Sequence, residues 1–83
     1  MEDLYESINK SLIKKLQDRA REVYKYNFQR DTDTGVEIMF KSSFNGLHIS
    51  KVPAVMSKEL GMNVIVEIVD QGSLGVIYSI TPC

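Results

Sequence analysis

The sequence predicts one small α+β domain of two layers, with the element order α-β-β-α-β-β. Residues 3–27 and 52–60 have apolar side chains at helical spacing, and residues 36–49 and 63–80 have the patterns of β-hairpins. A chain of 83 residues is long enough for one compact domain and too short for two. We therefore expect a long N-terminal helix and a short second helix on one face of a four-stranded antiparallel sheet, whose strand order the sequence leaves open.

The composition is that of an ordinary soluble globular protein. Ten basic residues nearly balance eleven acidic ones, and 43% of the residues are hydrophobic. This balance excludes a disordered chain and a polycation that coats nucleic acid. The only cysteine, Cys83, cannot form an internal disulfide, and no apolar run approaches the ~20 residues of a membrane span. Because the acidic N-terminus has no secretory signal, we expect a cytoplasmic protein with no membrane partner.

Residues 3–27 predict one long amphipathic helix. Asp3 and Glu6 have the spacing of a capping box, which satisfies free N–H groups in the first helical turn. Neither glycine nor proline interrupts the segment. Apolar residues recur along it every three or four positions: Leu4, Ile8, Leu12, Leu16, Ala20 and Val23. This stripe is the face that we expect to pack on the sheet.

A polar loop and a hairpin are predicted next. Residues 29–35 contain no apolar side chain and end in glycine, as loops often do. The following segment, Val36–Phe40, alternates between core-type and outward-facing positions, which is typical of a strand. Asn45-Gly46 is a strong signal for a two-residue hairpin turn. Such a turn pairs Phe44 with Leu47 and defines a hairpin over residues 36–49.

A second, shorter helix is predicted over residues 52–60. Ser50 is a candidate N-terminal cap, and Pro53 falls in the first turn, where its missing N–H has no cost. Gly61 is a natural C-terminal stop because glycine readily adopts the left-handed conformation that ends helices.

The last hairpin, residues 63–80, has apolar side chains on both of its faces. Its first strand is a β-branched run that only Glu67 interrupts, so Ile65 and Val69 face away from the core, and Ile77 of the returning strand joins them. The predicted helices can cover only one face of the sheet. We interpret the second face as a contact surface for a protein partner or a second copy of the chain. The alternative is a few exposed aliphatic residues, which small domains tolerate.

The sequence contains no pattern typical of a catalytic, metal or cofactor site. Asp31-Thr32-Asp33-Thr34-Gly35 lacks the later ligands of a calcium loop, and it does not follow the apolar strand that catalytic aspartate motifs require. His48 is the only histidine, and no nucleophile or carboxylate stands at a suitable spacing from it. No glycine-rich phosphate motif occurs. We therefore expect no catalytic residue, no metal and no cofactor, and a chain that is not an enzyme.

An excess of basic residues around the first helix predicts an alternative function in binding nucleic acid or an acidic partner. The candidate contacts are Lys10, Lys14, Lys15, Arg21, Lys25 and Arg30. Such side chains can neutralise phosphates. Two features favour an ordinary solvated helix face instead. Asp18 and Glu22 interrupt the basic residues, and residues 31–83 contain three basic and six acidic residues.

Small single domains without cofactor sites often serve as adaptors or inhibitors, among them phage-type regulators of host machinery. We therefore expect a non-catalytic regulator or inhibitor that docks on a larger macromolecular partner, alone or as a homodimer. The expected contact surface is Ile65, Glu67, Val69 and Ile77.

Overall fold

The computed structural model describes residues 2–42 and 46–83, with the side chains of residues 10–42 and 46–83. Its elements are α1 (Glu2–Val23), β1 (Phe28–Asp31), β2 (Val36–Phe40), α2 (Val52–Leu60), β3 (Val64–Gly72) and β4 (Gly75–Pro82). The strands form one open antiparallel sheet in the order β1-β2-β4-β3. The predicted fold class is confirmed: a long N-terminal helix, a short second helix and four antiparallel strands in the order α-β-β-α-β-β.

Both helices pack on one side of the sheet, which we call the inner face. Alternate residues of β2, β3 and β4 point toward it, and fully buried side chains such as Leu16 of α1 and Met56 of α2 lie against them. Burial of each such side chain contributes about 1.5–3 kcal/mol. The core consists of Leu16, Ala20, Tyr24, Val36, Ile38, Val52, Met56, Leu60, Val64, Val66, Val76, Tyr78 and Ile80. The side chains of residues 2–9, including the predicted capping pair Asp3 and Glu6, lie outside the described residues.

Helix α1 ends at Val23, earlier than the predicted end near residue 27. The side chain of Gln29 accounts for this end. Its amide Nε2 donates hydrogen bonds to the carbonyl oxygens of Ala20 (2.9 Å) and Tyr24 (2.6 Å). Carbonyl groups at a helix C-terminus lack a full set of intrahelical donors. The carbonyl oxygens of Ala20 and Tyr24 also accept the backbone N–H groups of Tyr24 and Asn27, so the Gln29 side chain adds a second donor to each of them. Helical periodicity cannot reveal such a contact.

The prediction of a loop over residues 29–35 is wrong for its first part, because strand β1 occupies it. Phe28–Asp31 pairs with β2 in an antiparallel register that sets Phe28 opposite Met39. The connecting turn is short. The backbone N–H of Thr32 donates to the carbonyl of Gly35 (2.9 Å), and the Gly35 N–H donates to Oγ1 of Thr32 (3.0 Å). The first hairpin of the fold is therefore β1–β2.

The hairpin predicted over residues 36–49 is wrong. Strand β2 pairs with β1 along one edge and with β4 along the other, so neither edge is open to Leu47 and the residues after it. Phe44 and Asn45, which the prediction placed at the turn, lie outside the described residues. The segment that leads to α2 is thus a connection rather than a strand.

Helix α2 has the bounds that the sequence predicts, Val52–Leu60. Pro53 lies in its first turn, and Gly61 ends it with the left-handed φ of 71°. Ser50 is not its cap, because Ser50 belongs to a short 3-10 helix, Ile49–Lys51, that runs directly into α2. The predicted hairpin over residues 63–80 is present as β3 and β4, which extend to Pro82.

Candidate protein-binding face

The side of the sheet that faces away from both helices, which we call the outer face, carries two rows of side chains. Antiparallel partners project to the same side of a sheet, so the strand register defines each row. The apolar row runs across β1, β2, β4 and β3 as Phe28, Met39, Ile77 and Asp70. The charged row runs in the same order as Arg30, Glu37, Ser79 and Glu67. Beyond the charged row, Ile65 lies opposite Thr81.

The apolar row is open to solvent. Phe28 is 74% exposed and Met39 is 36% exposed, and Ile77 between β2 and β3 is partly exposed. Together with Arg30 and Glu37, these three side chains line a shallow depression of about 390 Å³. Contiguous apolar surface in a soluble protein commonly marks a contact site. The depression is therefore the centre of the candidate site.

A β-bulge at Val69 determines which residues of β3 reach the outer face. Ile68 lies opposite Tyr78, and after the bulge Asp70 lies opposite Ile77. If β3 continued past Ile68 in regular pairing, Val69 would lie opposite Ile77 and Asp70 would lie opposite buried Val76, with its side chain turned inward. The bulge keeps this carboxylate out of the core and adds it to the apolar row. It also leaves Val69 itself 53% exposed.

The charges on the outer face are unevenly distributed. On the side of β1 and β2, Nη2 of Arg30 lies 2.6 Å from Oε1 of Glu37, so the two charges compensate each other. On the side of β3, Glu67 and Asp70 form no ion pair with any residue that the structure describes. The face is thus close to neutral on the side of β1 and β2 and acidic at its β3 edge.

The predicted contact residues Ile65, Glu67 and Ile77 all lie on the outer face, and Val69 occupies the adjacent bulge. The sequence interpretation missed Phe28 and the other outer-facing residues of β1. The signal that could have found them is the tight Thr32–Gly35 turn, which returns the chain antiparallel to β2.

The structure separates the basic residues that the alternative function invoked, namely Lys10, Lys14, Lys15, Arg21, Lys25 and Arg30. Asp18 lies 3.4 Å from Lys14 and 3.3 Å from Arg21, and Arg21 also pairs with Asp31. Arg30 stands on the outer face, on the opposite side of the sheet from α1. Arg30 therefore does not share a surface with the other five side chains, and Asp18 compensates two of those five, whereas Lys10 and Lys15 are exposed on α1.

The remaining chemically capable groups are dispersed. Exposed His48 accepts a hydrogen bond at Nδ1 from the backbone N–H of Ser50 (3.2 Å), which caps the short 3-10 helix. Burial raises the pKa of the Tyr24 phenol well above its usual value, and the nearby Glu59 carboxylate adds to this effect. Within the described residues, no three His, Cys, Asp or Glu side chains lie together in a way that could hold a metal ion.

None of the described helices is long and apolar enough to span a membrane.

Comparisons with protein families, with curated proteins and with solved structures give no match for this chain.

Proposed function

We propose that this chain is a small, non-catalytic, cytoplasmic regulator or inhibitor that docks on a larger protein partner through its outer face. The observation that supports this most directly is the position of the apolar row. Phe28, Met39 and Ile77 stand on the side of the sheet that neither helix covers. Removal of apolar area from water is the main driving force of protein association.

The residue types of the outer face are those that protein interfaces favour. Aromatic residues, Met and Arg are enriched at interfaces, and charged residues are depleted from interface centres. Phe28, Met39 and Arg30 are of the enriched types. The carboxylates of Glu67 and Asp70, which form no ion pair within the described part of the chain, lie at the β3 edge, which would form the polar rim of such a contact.

A protein partner fits this face better than a small molecule does. Sites for small ligands bury most of the ligand surface between opposing walls. The depression here is lined by residues of one sheet face only: Phe28, Arg30, Glu37, Met39 and Ile77. Another protein surface can supply the second wall.

Capture with matched variants tests the proposal. Ile77→Asp places a carboxylate at the centre of the apolar row, and Ser11→Asp adds the same charge on the exposed side of α1. Proteins from the native cell that bind the immobilised wild-type chain are identified, purified and titrated against each form. We expect a genuine partner to bind the wild type and Ser11→Asp equally, and to bind Ile77→Asp at least about tenfold more weakly. Equal binding to Ile77→Asp would refute docking through the outer face.

Nucleic-acid binding through α1 is a second candidate function. The supporting observation is that Lys10 and Lys15 are exposed and have no ion pair with any described residue. If this function is real, affinity for duplex or single-stranded oligonucleotides falls steeply between low and physiological salt. The double variant Lys10→Glu/Lys15→Glu should then lose binding, and Ile77→Asp should retain it. No retention of the wild type at low salt would eliminate this candidate.

A further inference from the structure

We propose that in the free protein the outer face is covered by the outer face of a second copy, related by a two-fold axis parallel to the strands. This inference rests on the proposed role of the outer face as a protein-binding surface, and it names one occupant of that surface. Three features of the outer face support the dimer: its strand order, its distribution of charge and its size.

A two-fold axis parallel to the strands brings the apolar centre of the row onto itself and places Phe28 of each copy over Asp70 of the other at the edges. A two-fold axis that is parallel to the strands and lies between β2 and β4 places β1 of one copy over β3 of the other, and β2 over β4. This rotation does not change the position of a residue along the strand direction, so each row of one copy lies over the same row of the other. At the centre of the contact, Met39 of each copy lies over Ile77 of the other, which gives two equivalent contacts. Two sheets packed in this way stand about 10 Å apart, which side chains of this size fill.

The charged row is complementary under the same rotation. Arg30 stands on β1 and Glu67 stands on β3, at opposite ends of the row. The rotation brings Arg30 of each copy over Glu67 of the other, where it lies between that carboxylate and its own partner Glu37. This contact gives Glu67 a cation that it lacks among the described residues of its own chain.

An axis across the strands is disfavoured by the same charges. Such an axis places β3 over β3, so Glu67 and Asp70 of one copy would meet the same carboxylates of the other. Like charges held together across an interface are unfavourable. The formal net charge of the whole chain is only −1, so long-range repulsion between copies is weak. The charges therefore select one orientation and do not oppose association.

The size of the outer face indicates a dimer of modest affinity. Four strands about 4.8 Å apart make a face about 19 Å wide, and its outward-facing part is about 20 Å long. The flat footprint is about 400 Å² per copy. Because protruding side chains add surface to this area, the accessible surface that the two copies bury together is about 1,000 Å². This is the lower limit for a specific interface, so we expect a weak dimer whose population depends on the protein concentration.

Sedimentation of the purified chain between about 1 µM and 1 mM tests the dimer. All variants carry Cys83→Ser, so that no intermolecular disulfide contributes. We expect a monomer–dimer equilibrium in which Arg30→Glu and Glu67→Arg each weaken association at least tenfold. The double variant Arg30→Glu/Glu67→Arg should associate more tightly than either single variant, because the pairing between copies is recreated with the charges exchanged; restoration is partial, because Arg30→Glu also sets a carboxylate beside Glu37 of the same chain. Ser11→Asp should leave the equilibrium unchanged, and circular dichroism checks that each variant is folded.

Three results would overturn the proposed dimer. A strict monomer at 1 mM refutes the dimer, and the proposed function survives if a larger partner still distinguishes Ile77→Asp from Ser11→Asp. A dimer that is insensitive to Ile77→Asp uses another surface, such as the open edge of β3. A double variant as weak as the single variants refutes the two-fold axis parallel to the strands. Conversely, an outer-face dimer with no larger partner sensitive to Ile77→Asp would refute the proposed docking and retain the dimer.

Discussion

Met39 and Ile77 lie directly opposite each other on β2 and β4, on the face of the sheet that no helix covers. The next pair in the same two strands, Ile38 and Tyr78, is also directly opposite but fully buried on the inner face. Consecutive residues of one strand therefore have opposite environments. This alternation separates the residues that stabilise the fold from those that are free to bind.

Alanine substitutions at two consecutive residues test that separation. Ile38→Ala should lower the free energy of unfolding by about 2–5 kcal/mol, because it leaves a cavity in a core that cannot fully collapse around it. Met39→Ala should lower it by less than about 1 kcal/mol at concentrations where the chain is monomeric, because Met39 is partly in solvent. Urea unfolding monitored by circular dichroism measures both. A large loss for Met39→Ala would mean that the outer face is part of the core.

The elements whose apolar residues face the core could be predicted from the sequence. Helix α2, the β3–β4 hairpin and the stripe of α1 each bury residues at a regular period, so periodicity identifies them. The two-faced pattern of β3 likewise predicted that Ile65 and Ile77 would lie outside the helices' cover.

Strand β1 could not be predicted in this way, because its inward positions are polar. Gln29 caps α1, and Asp31 pairs with Arg21, so neither gives the strand an apolar core face. Its one large apolar residue, Phe28, points outward. The strong local turn signal of Asn45-Gly46 then predicted that β2 pairs with the segment that follows this turn. In the structure β2 pairs with β1 and β4 instead. With β1, the sequence analysis missed the outer-face positions of Phe28 and Arg30, two of the five residues that line the depression.

Gly35 is required by close packing of two strands. A Cβ atom at this position would lie 2.0 Å from the backbone carbonyl oxygen of Ile80, on the strand that pairs with β2. We expect Gly35→Ala to cost about 3 kcal/mol, because the backbone of β4 must move away to make room. Gly72→Ala is the matched control: its Cβ would meet no atom within 4 Å, so its effect should be within about 1 kcal/mol. Thermal unfolding of both variants provides the comparison, and equal effects would contradict the close approach.

Arg19 connects the two helices. Its Nε donates a hydrogen bond of 2.9 Å to the carbonyl oxygen of Leu60, at the end of α2. Arg19→Met keeps the aliphatic stem and removes the donor, so it should lower the free energy of unfolding by about 1–2 kcal/mol. The control Arg21→Met removes only exposed ion pairs with Asp18 and Asp31, which are worth about 0–1 kcal/mol. Chemical denaturation measures both, and an equal or smaller loss for Arg19→Met would show that the contact to Leu60 is not stabilising.

Tyr24 makes the stability of the fold sensitive to alkaline pH. Burial raises the pKa of its phenol above the ordinary value of about 10, and the Glu59 carboxylate acts in the same direction. The unfolded chain therefore loses this proton at a lower pH than the folded chain does. The stabilising contribution is complete well below pH 10 and is lost as the pH rises toward the folded-state pKa.

By pH 11 the wild type should have lost more of its free energy of unfolding than Tyr24→Phe has, by an amount on the order of 1 kcal/mol, because the phenylalanine cannot ionise. Tyr26→Phe is the matched control, since the Tyr26 side chain is 92% exposed and should leave the wild-type pH dependence intact. Urea unfolding of the three proteins from pH 8 to pH 11 measures the difference, in which the contributions of the other tyrosines and lysines largely cancel. Parallel curves for the wild type and Tyr24→Phe above pH 10 would contradict a raised pKa at Tyr24.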